Sequence, residues 1–153
     1  MKDGVVQQYA PPQRTYDHPT NQFVASFIGS PGMNFLPADS RMEGNRITVI
    51  GERFVIRLPE SREATDIPPH VVVGIRPEDL DGPVQETTNT LSMTVSVKEQ
   101  LGHSLLVYGS VAGSQIVASL DPHRQVDLDT EIHLSVNVDS VHAFDPITHL
   151  TLF

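Results

Sequence analysis

The sequence predicts an all-β protein, built either as a barrel or as a sandwich. Three observations indicate this class. Apolar and polar residues alternate with a period of two from residue 46 onward, single Gly, Pro and Asp residues separate the alternating runs, and no long helical pattern occurs. We expect about eight or nine short strands from this spacing. The 153 residues suffice for one substantial domain, or for a small domain with an extension.

The predicted strands differ in how much of each is buried. A hairpin is expected from residues 46–49 and 53–58, with its turn at Gly51-Glu52. The run 71–75 is continuously apolar, which is typical of a strand buried on both faces. Residues 91–97 and 132–138 alternate, so that one face of each strand is buried and the other faces solvent. The other predicted strands are 105–108, 116–120, 141–144 and 150–153, and residues 60–70 are expected to form a long surface loop.

The first 37 residues have a different composition, rich in turn-forming residues and compatible with short helices. Asn21 can cap a helix over residues 22–28, which Gly29 would end. Phe23 and Phe27 would share one face of this helix. A shorter helical turn is expected at 12–17. Because such short helices are unstable alone, they must dock on other structure. We therefore expect a linker with a short helix over residues 1–37 and a β-barrel over 38–153.

The charge balance argues against several function classes. Ten Lys and Arg residues stand against nineteen Asp and Glu residues, which gives a formal net charge of −9. Such a chain repels nucleic-acid phosphates and anionic lipids. Cysteine is absent, so disulfides and thiolate chemistry are excluded. No apolar run reaches the length needed to cross a bilayer, about 20 residues.

The search for catalytic and metal-binding motifs gives no candidate. The sequence contains no phosphate-binding GxxxxGK[ST], no GxGxxG, no HExxH and no GxSxG. Its seven histidines lack metal-ligand spacing, and a strand would scatter Asp139, His142 and Asp145 over different faces. The adjacent carboxylates Glu78 and Asp79, and the loop pair at positions 60 and 63, are expected to be solvated. We therefore predict no catalytic, cofactor-binding or metal-binding residue.

Two segments do not fit a purely structural pattern. In the first, residues 74–80, a buried strand ends abruptly in Arg76-Pro77-Glu78-Asp79. Two interpretations of Arg76 are open. It either forms a simple ion pair at the end of the strand, or it belongs to a polar knot, a cluster of positioned polar contacts that holds two halves of a barrel, or two subunits, in register. The second segment, residues 27–36, carries apolar residues in a stretch predicted to be turns rather than a regular element. They either close the end of the barrel or cover a neighbouring domain.

These two segments resemble the ATP-binding subunits of sugar-type ABC importers, the maltose and glycerol-phosphate importer family. The family pattern FVAxFIGxPxMNFL matches residues 23–36, and its GIRPED matches residues 74–79. Weaker matches are the opening Asp3-Gly4, the element from Glu99 to Gly102, and the final motif around Phe144-Asp145. The resemblance covers nearly the whole chain. The sequence departs from it at Tyr9-Ala10, where the family usually has Gly-Thr, and at His149, where the family usually has Gly. The second departure puts the geometry of the last turn in question.

The resemblance implies an OB-type Greek-key barrel, the transport-associated OB (TOBE) domain, with a short N-terminal helical segment. In that family this domain follows the nucleotide-binding domain, which binds ATP and Mg, so no cofactor and no catalysis are expected here. The implied partners are the chain's own nucleotide-binding domain, a second ATPase subunit in a homodimer, the permease subunits, and a regulatory protein or small ligand. The implied location is the cytoplasmic face of the cell membrane. The residues expected at dimer or regulatory contacts are Phe23, Phe27, Met33, Asn34, Phe35, Arg76, Pro77, Glu78, Asp79, Gly102, Phe144 and Asp145.

Two other functions are weighed against this regulatory and dimerisation role. One is a sensor of a small ligand such as a sugar, a sugar phosphate or an oxyanion, for which backbone N–H groups at a loop-rich rim are suitable donors. The other is an OB-type nucleic-acid binder, which needs a basic groove with exposed aromatic residues. The acidic composition and the absence of Trp argue against the latter.

Overall fold

The computed structural model describes residues 1–60 and 66–153. In this part of the chain ten strands and two short helices occur, together with two 3-10 turns. The helices are α1 (Pro12–Asp17) and α2 (Gln22–Phe27). The strands are β1 (Asn34–Glu43), β2 (Arg46–Gly51), β3 (Phe54–Arg57), β4 (His70–Ile75), β5 (Leu80–Val84), β6 (Thr90–Gln100), β7 (Leu105–Val111), β8 (Ser114–Leu120), β9 (Glu131–Val136) and β10 (His142–Phe144). The 3-10 turns are Pro77–Asp79 and Val138–Ser140.

All strand pairs are antiparallel and belong to one curled sheet. The hydrogen-bonded order is β10-β4-β1-β2-β3-β6-β7-β8, and β9 pairs with both β6 and β5. Near the middle of this order, β3 and β6 meet through the single residue pair Phe54–Leu91. The first half of the sheet therefore comprises β10, β4 and β1–β3, and the second half comprises β5–β9. The prediction of an all-β, OB-type architecture with a short helical segment is confirmed.

The two halves enclose one apolar core. Alternate residues of β1–β4 and of β6–β9 point inward, and Val49, Ile56, Val107 and Leu134 are completely buried. A smaller cluster lies beside it, where Ala25, Met33 and Phe144 pack together. Through this cluster α2 docks on the sheet, because its residues Val24 and Ala25 are buried whereas α1 buries none.

Asn34 links β1 to β8, the last strand of the hydrogen-bonded order. This side chain is only 6% exposed, and its carboxamide lies against Val117 in β8. Nδ2 donates to the main-chain carbonyl of Val117 and Oδ1 accepts from the Val117 N–H, both at 2.8 Å. The amide thus occupies the position that a neighbouring strand would take, and it satisfies two main-chain groups that burial would otherwise leave unpaired. The curled sheet is linked from β1 back to β8 by one side chain.

Most predicted elements are confirmed, including both helices, the Asn21 cap on Val24 N–H, and the hairpin of β2 and β3. The prediction that residues 27–36 form a turn-rich stretch without a regular element was wrong for residues 34–36, since β1 begins at Asn34. Also missed was β5, a short strand that pairs only with β9. The last strand pair is confirmed at Phe144 and Thr151. Part of the predicted loop, residues 61–65, lies outside the described residues.

A β-bulge in β6 changes which face of the sheet the later side chains of this strand occupy. The prediction placed residue 97 on the buried face with Val95, but Val97 is 54% exposed. The register with β7 shifts between Val95 and Val97, and an extra residue in one strand turns every later side chain to the opposite face. The predicted domain boundary after residue 37 falls inside β1 and stays a prediction.

We expect Asn34→Ala to lower the free energy of unfolding by about 2–4 kcal/mol, because both main-chain groups of Val117 would remain buried without partners. Urea denaturation followed by circular dichroism measures this difference. Gln115→Ala is the matched control, because Gln115 is exposed on β8, the strand that carries Val117. Equal stability of the Asn34 variant and the control would contradict the linking role of the amide.

Candidate functional site: the Arg76 corner

Arg76 lies where β4 ends and the 3-10 turn Pro77–Asp79 begins. Its side chain is 4% exposed and reaches across to the N-terminal helical segment. Nη1 donates to the carbonyl of Ile28 at 2.9 Å, and Nη2 donates to the carbonyl of Tyr16 at 2.6 Å. The guanidinium carbon also lies 3.6 Å from the centre of the Tyr16 ring, a cation–π contact. One side chain therefore fastens both α1 and the end of α2 to the sheet.

Of the two interpretations left open for Arg76, the ion-paired strand end is not the one that the structure supports. Within the described residues, no carboxylate approaches the guanidinium closely enough for a salt bridge. Burial lowers the pKa of Arg76, and the more distant charges of Asp79 and Asp17 raise it. The interpretation as a polar knot is supported, although the parts joined are the helical segment and the sheet.

Gly29 makes room for this knot. A Cβ atom at position 29 would lie 3.3 Å from Nη1 of Arg76, and the residue has φ of +111°. This backbone conformation is unfavourable for residues with a side chain. The glycine that ends α2 is therefore required by the helix terminus and by the guanidinium together.

Asp79 connects the corner to the turn after β9. Its Oδ1 accepts a hydrogen bond from Asn137 Nδ2 at 3.1 Å, and its carbonyl accepts one from the Asn137 N–H at 2.9 Å. Burial raises the pKa of Asp79, which hydrogen bonds from Asn137 and Ser140 and the charge of Arg76 lower. Burial also raises the pKa of Glu78. The expectation that these two carboxylates are simply solvated was wrong for Asp79, which is half-buried.

A cavity of about 400 Å³ lies beside the corner. Residues from α1, both 3-10 turns and β10 line it: Tyr16, Asp17, His18, Arg76, Glu78, Asp79, Asp139, Ser140 and His142. Four of these are acidic, which makes the surface of the corner negative. Among the described residues no group of three acidic or histidine side chains is arranged to hold a metal ion.

The predicted apolar contact residues differ in how far they are buried. Met33 and Phe144 are buried, and Phe35 packs edge-on against Phe144 with ring centres 5.7 Å apart. On α2, Phe23 and Phe27 stack with centres 6.1 Å apart. Phe27 is 76% exposed. Phe23 and Phe35 are half-buried, so Phe27 is the predicted apolar contact residue most available to another molecule.

The remaining predicted residues do not join the corner. Gly102 lies in the turn between β6 and β7, with φ of +81°. Asp145 belongs to the last turn, where its Oδ1 accepts from the N–H groups of Ile147 and Thr148, both at 2.8 Å. His149 in that turn has φ of +63°, in the left-handed region that glycine adopts without strain. The turn therefore has the backbone geometry that suits glycine, although histidine occupies this position.

The partners of Arg76 and of Asp79 were not predicted from the sequence. Tyr16, which binds Arg76, was not among the expected contacts, and Asn137, which binds Asp79, was not singled out. The acceptors on Tyr16 and Ile28 are main-chain carbonyls, which every residue carries, so residue types give no signal for them. An aromatic residue in an otherwise polar stretch was the one available indication for Tyr16.

Comparison with known proteins identifies two domains along the chain. Residues 29–80 match the MalK OB fold domain, and residues 73–144 match the TOBE domain. The two matches overlap at β4 and the Arg76 corner. Together they cover every strand of the described structure.

Three relatives illustrate the similarity. The ABC transporter ATP-binding protein YcjV of Escherichia coli K12 is 33% identical over 99% of this chain and 42% of its own length. The sn-glycerol-3-phosphate import ATP-binding protein UgpC of Chromobacterium violaceum is 34% identical over 97% and 39%. The ABC transporter ATP-binding protein YurJ of Bacillus subtilis is 31% identical over 100% and 44%. The chain thus spans less than half the length of these relatives. None of the described helices is long and apolar enough to cross a membrane.

The raised pKa of Asp79 and the lowered pKa of Asp145 predict opposite pH effects. The pKa of Asp79 is raised by folding, so its contribution is present at low pH and is lost as pH rises through the folded value. Asp79→Asn should therefore gain stability relative to wild type between about pH 4 and pH 7. The pKa of Asp145 is lowered by N–H groups of Thr148 and Ile147, so its contribution is present above the ordinary carboxyl pKa and is lost as pH falls below about pH 4. Asp145→Asn should therefore lose stability relative to wild type as pH rises from about 2.5 to about 5. Urea denaturation across both intervals measures the two trends, and trends of the same sign would contradict the assignment.

Proposed function

Because the chain belongs to the family of MalK-type OB and TOBE domains of ABC transporter ATP-binding proteins, we propose that it is a regulatory and dimerisation domain of an importer ATPase subunit. It works by contact rather than by catalysis. The observation that carries the proposal is the Arg76 corner. There a buried guanidinium holds the helical segment on the sheet, which gives the exposed Phe27 and its half-buried neighbour Phe23 a fixed position.

The surface around α2 has the composition of a contact surface. Phe27 is mostly exposed to solvent. Gln22 N–H donates to the carbonyl of His149 at 2.9 Å, so α2 adjoins the last turn. That turn exposes Ile147 and Leu150. Contiguous exposed apolar side chains, especially aromatic ones, are typical of protein interfaces. We define the α2 surface as Phe23, Phe27, Ile147 and Leu150.

The acidic corner limits how two copies can meet. In a two-fold symmetric dimer the same patch comes from both subunits. In a dimer whose interface includes the acidic corner, copies of Asp17, Glu78 and Asp79 would approach one another, and like charges disfavour the contact. Apolar burial on the α2 surface must therefore supply the attraction. Added salt should strengthen association by screening the repulsion.

The wider assignment follows the relatives. Their names describe ATP-binding proteins of ABC transporters, and two relatives are named for sn-glycerol-3-phosphate import. We accordingly place this chain in an importer for sugars or related solutes, at the cytoplasmic face of the membrane. Its partners there are a nucleotide-binding domain, a second ATPase subunit and the permease subunits.

Sedimentation velocity of the chain tests this proposal. We expect concentration-dependent self-association up to about 0.5 mM, because a small apolar surface supports a weak interface. Phe27→Ser should reduce it. The matched control is Val97→Ser, which removes a half-exposed apolar side chain elsewhere on the surface and should have no effect.

Two results would contradict the contact role of the α2 surface. One is a strictly monomeric wild-type chain at every concentration and salt level. The other is equal loss of association in the Phe27 variant and the Val97 control.

A further inference from the structure

A second cavity lies where the two halves of the sheet meet. It has a volume of about 500 Å³ and is bounded by the β2–β3 turn, the loop before β6, and the adjoining residues of β6 and β9. The two halves are held together there by few contacts. Besides the Phe54–Leu91 pair, Ser92 N–H donates to the Arg53 carbonyl at 3.1 Å and Asn89 N–H donates to the Val55 carbonyl at 3.0 Å. We call this cavity the junction pocket.

The junction pocket is lined mainly by polar groups. The exposed carboxylates of Glu52 and Glu86 stand at its rim. Arg53 and Glu131 form a long ion pair across it, with Nη1 and Oε2 3.7 Å apart. Thr87, Thr88, Thr90 and Ser92 also line the pocket. Three of their hydroxyls are engaged within the protein, since Thr87 donates to the Thr88 carbonyl, Thr90 donates to the Thr87 carbonyl, and Ser92 bonds Nδ1 of His133. The pocket therefore offers carboxylate acceptors, a guanidinium donor and the Thr88 hydroxyl.

The charges at the pocket select among ligand classes. Three glutamates against one arginine give a negative site, which repels phosphates, carboxylates and oxyanions. The Arg53 guanidinium and the hydroxyl groups make it a poor match for a bare cation. Within the described residues no acidic and histidine side chains are grouped to hold a metal. A neutral molecule with several hydroxyl groups fits best, because each hydroxyl can donate to a carboxylate and accept from Arg53.

We propose that the junction pocket binds a neutral polyhydroxylated molecule of monosaccharide or disaccharide size. Its volume falls within the usual range for small-ligand sites, about 300–1,000 Å³. A ligand there would touch the β2–β3 turn from one half of the sheet and β6 from the other. It would thereby add contacts at the place where few main-chain bonds join them. The proposal does not rest on the contact function, since the pocket shares no residue with the Arg76 corner or the α2 surface.

Titration of the ¹⁵N-labelled chain by NMR tests the proposal, with glucose and maltose as neutral probes. Glucose 6-phosphate is the anionic probe and putrescine the cationic one. We expect saturable shifts from a neutral probe at millimolar concentration, confined to residues 51–55, 86–92 and 131–133. Glucose 6-phosphate should bind at least about tenfold more weakly, because the pocket is negative. Absence of saturable shifts with both neutral probes overturns the proposal. Stronger binding of glucose 6-phosphate or putrescine, or shifts centred elsewhere, does so as well.

A matched pair of variants assigns the binding to the pocket. Glu86→Ala removes a rim carboxylate and should weaken binding of the neutral probe at least about tenfold, the loss expected for one hydrogen bond to a charged group. Glu99→Ala removes an equally exposed carboxylate from β6 outside the pocket and should change nothing. Both side chains are exposed, so the fold is retained, and unchanged shifts of core amides confirm this. Equal affinities of the two variants would overturn the assignment.

Discussion

The buried guanidinium of Arg76 is the contact on which the arrangement of the chain depends most. It ends the strand that pairs with both β1 and β10, and it binds carbonyls from α1 and from the residue after α2. Three residues later, Asp79 binds Asn137. Since α1 buries no side chain of its own, its position follows from the guanidinium rather than from apolar packing. A rigid planar fork can satisfy two carbonyls at once, which an ammonium group cannot do in the same geometry.

The curled sheet and the helical segment are both held by polar side chains acting on main-chain groups. Asn34 binds Val117 across the line where β1 and β8 meet, and Thr151 donates to the carbonyl of Pro19. In each case the side chain replaces a strand or helix partner that the topology does not provide. Buried main-chain groups without partners are costly, so these few side chains determine where the elements stop and how they join. The exposed α2 surface is fixed in place as a result.

The sequence allowed the all-β class, both helices and the strands with clear alternation to be predicted, because burial of one face leaves a period in the residue types. Prediction failed where that period is absent. In β1, Pro37 and a polar second half hide the strand, and in β5 Gly82 and Pro83 are residues that strands usually avoid. At the candidate site, Arg76 and Asp79 were found from the abrupt strand end. Their partners were not, because main-chain carbonyls and a long-range amide such as Asn137 leave no local pattern.

Arg76 couples the helical segment to the sheet, and hydrogen exchange of Arg76→Lys measured by mass spectrometry tests this coupling most directly. Lysine keeps the charge but cannot make both hydrogen bonds in the fork geometry. We predict that amides of residues 15–28 exchange about tenfold faster than in wild type, while those of β6–β8 keep their protection. Unchanged exchange in residues 15–28, or an equal increase throughout the sheet, would contradict the account.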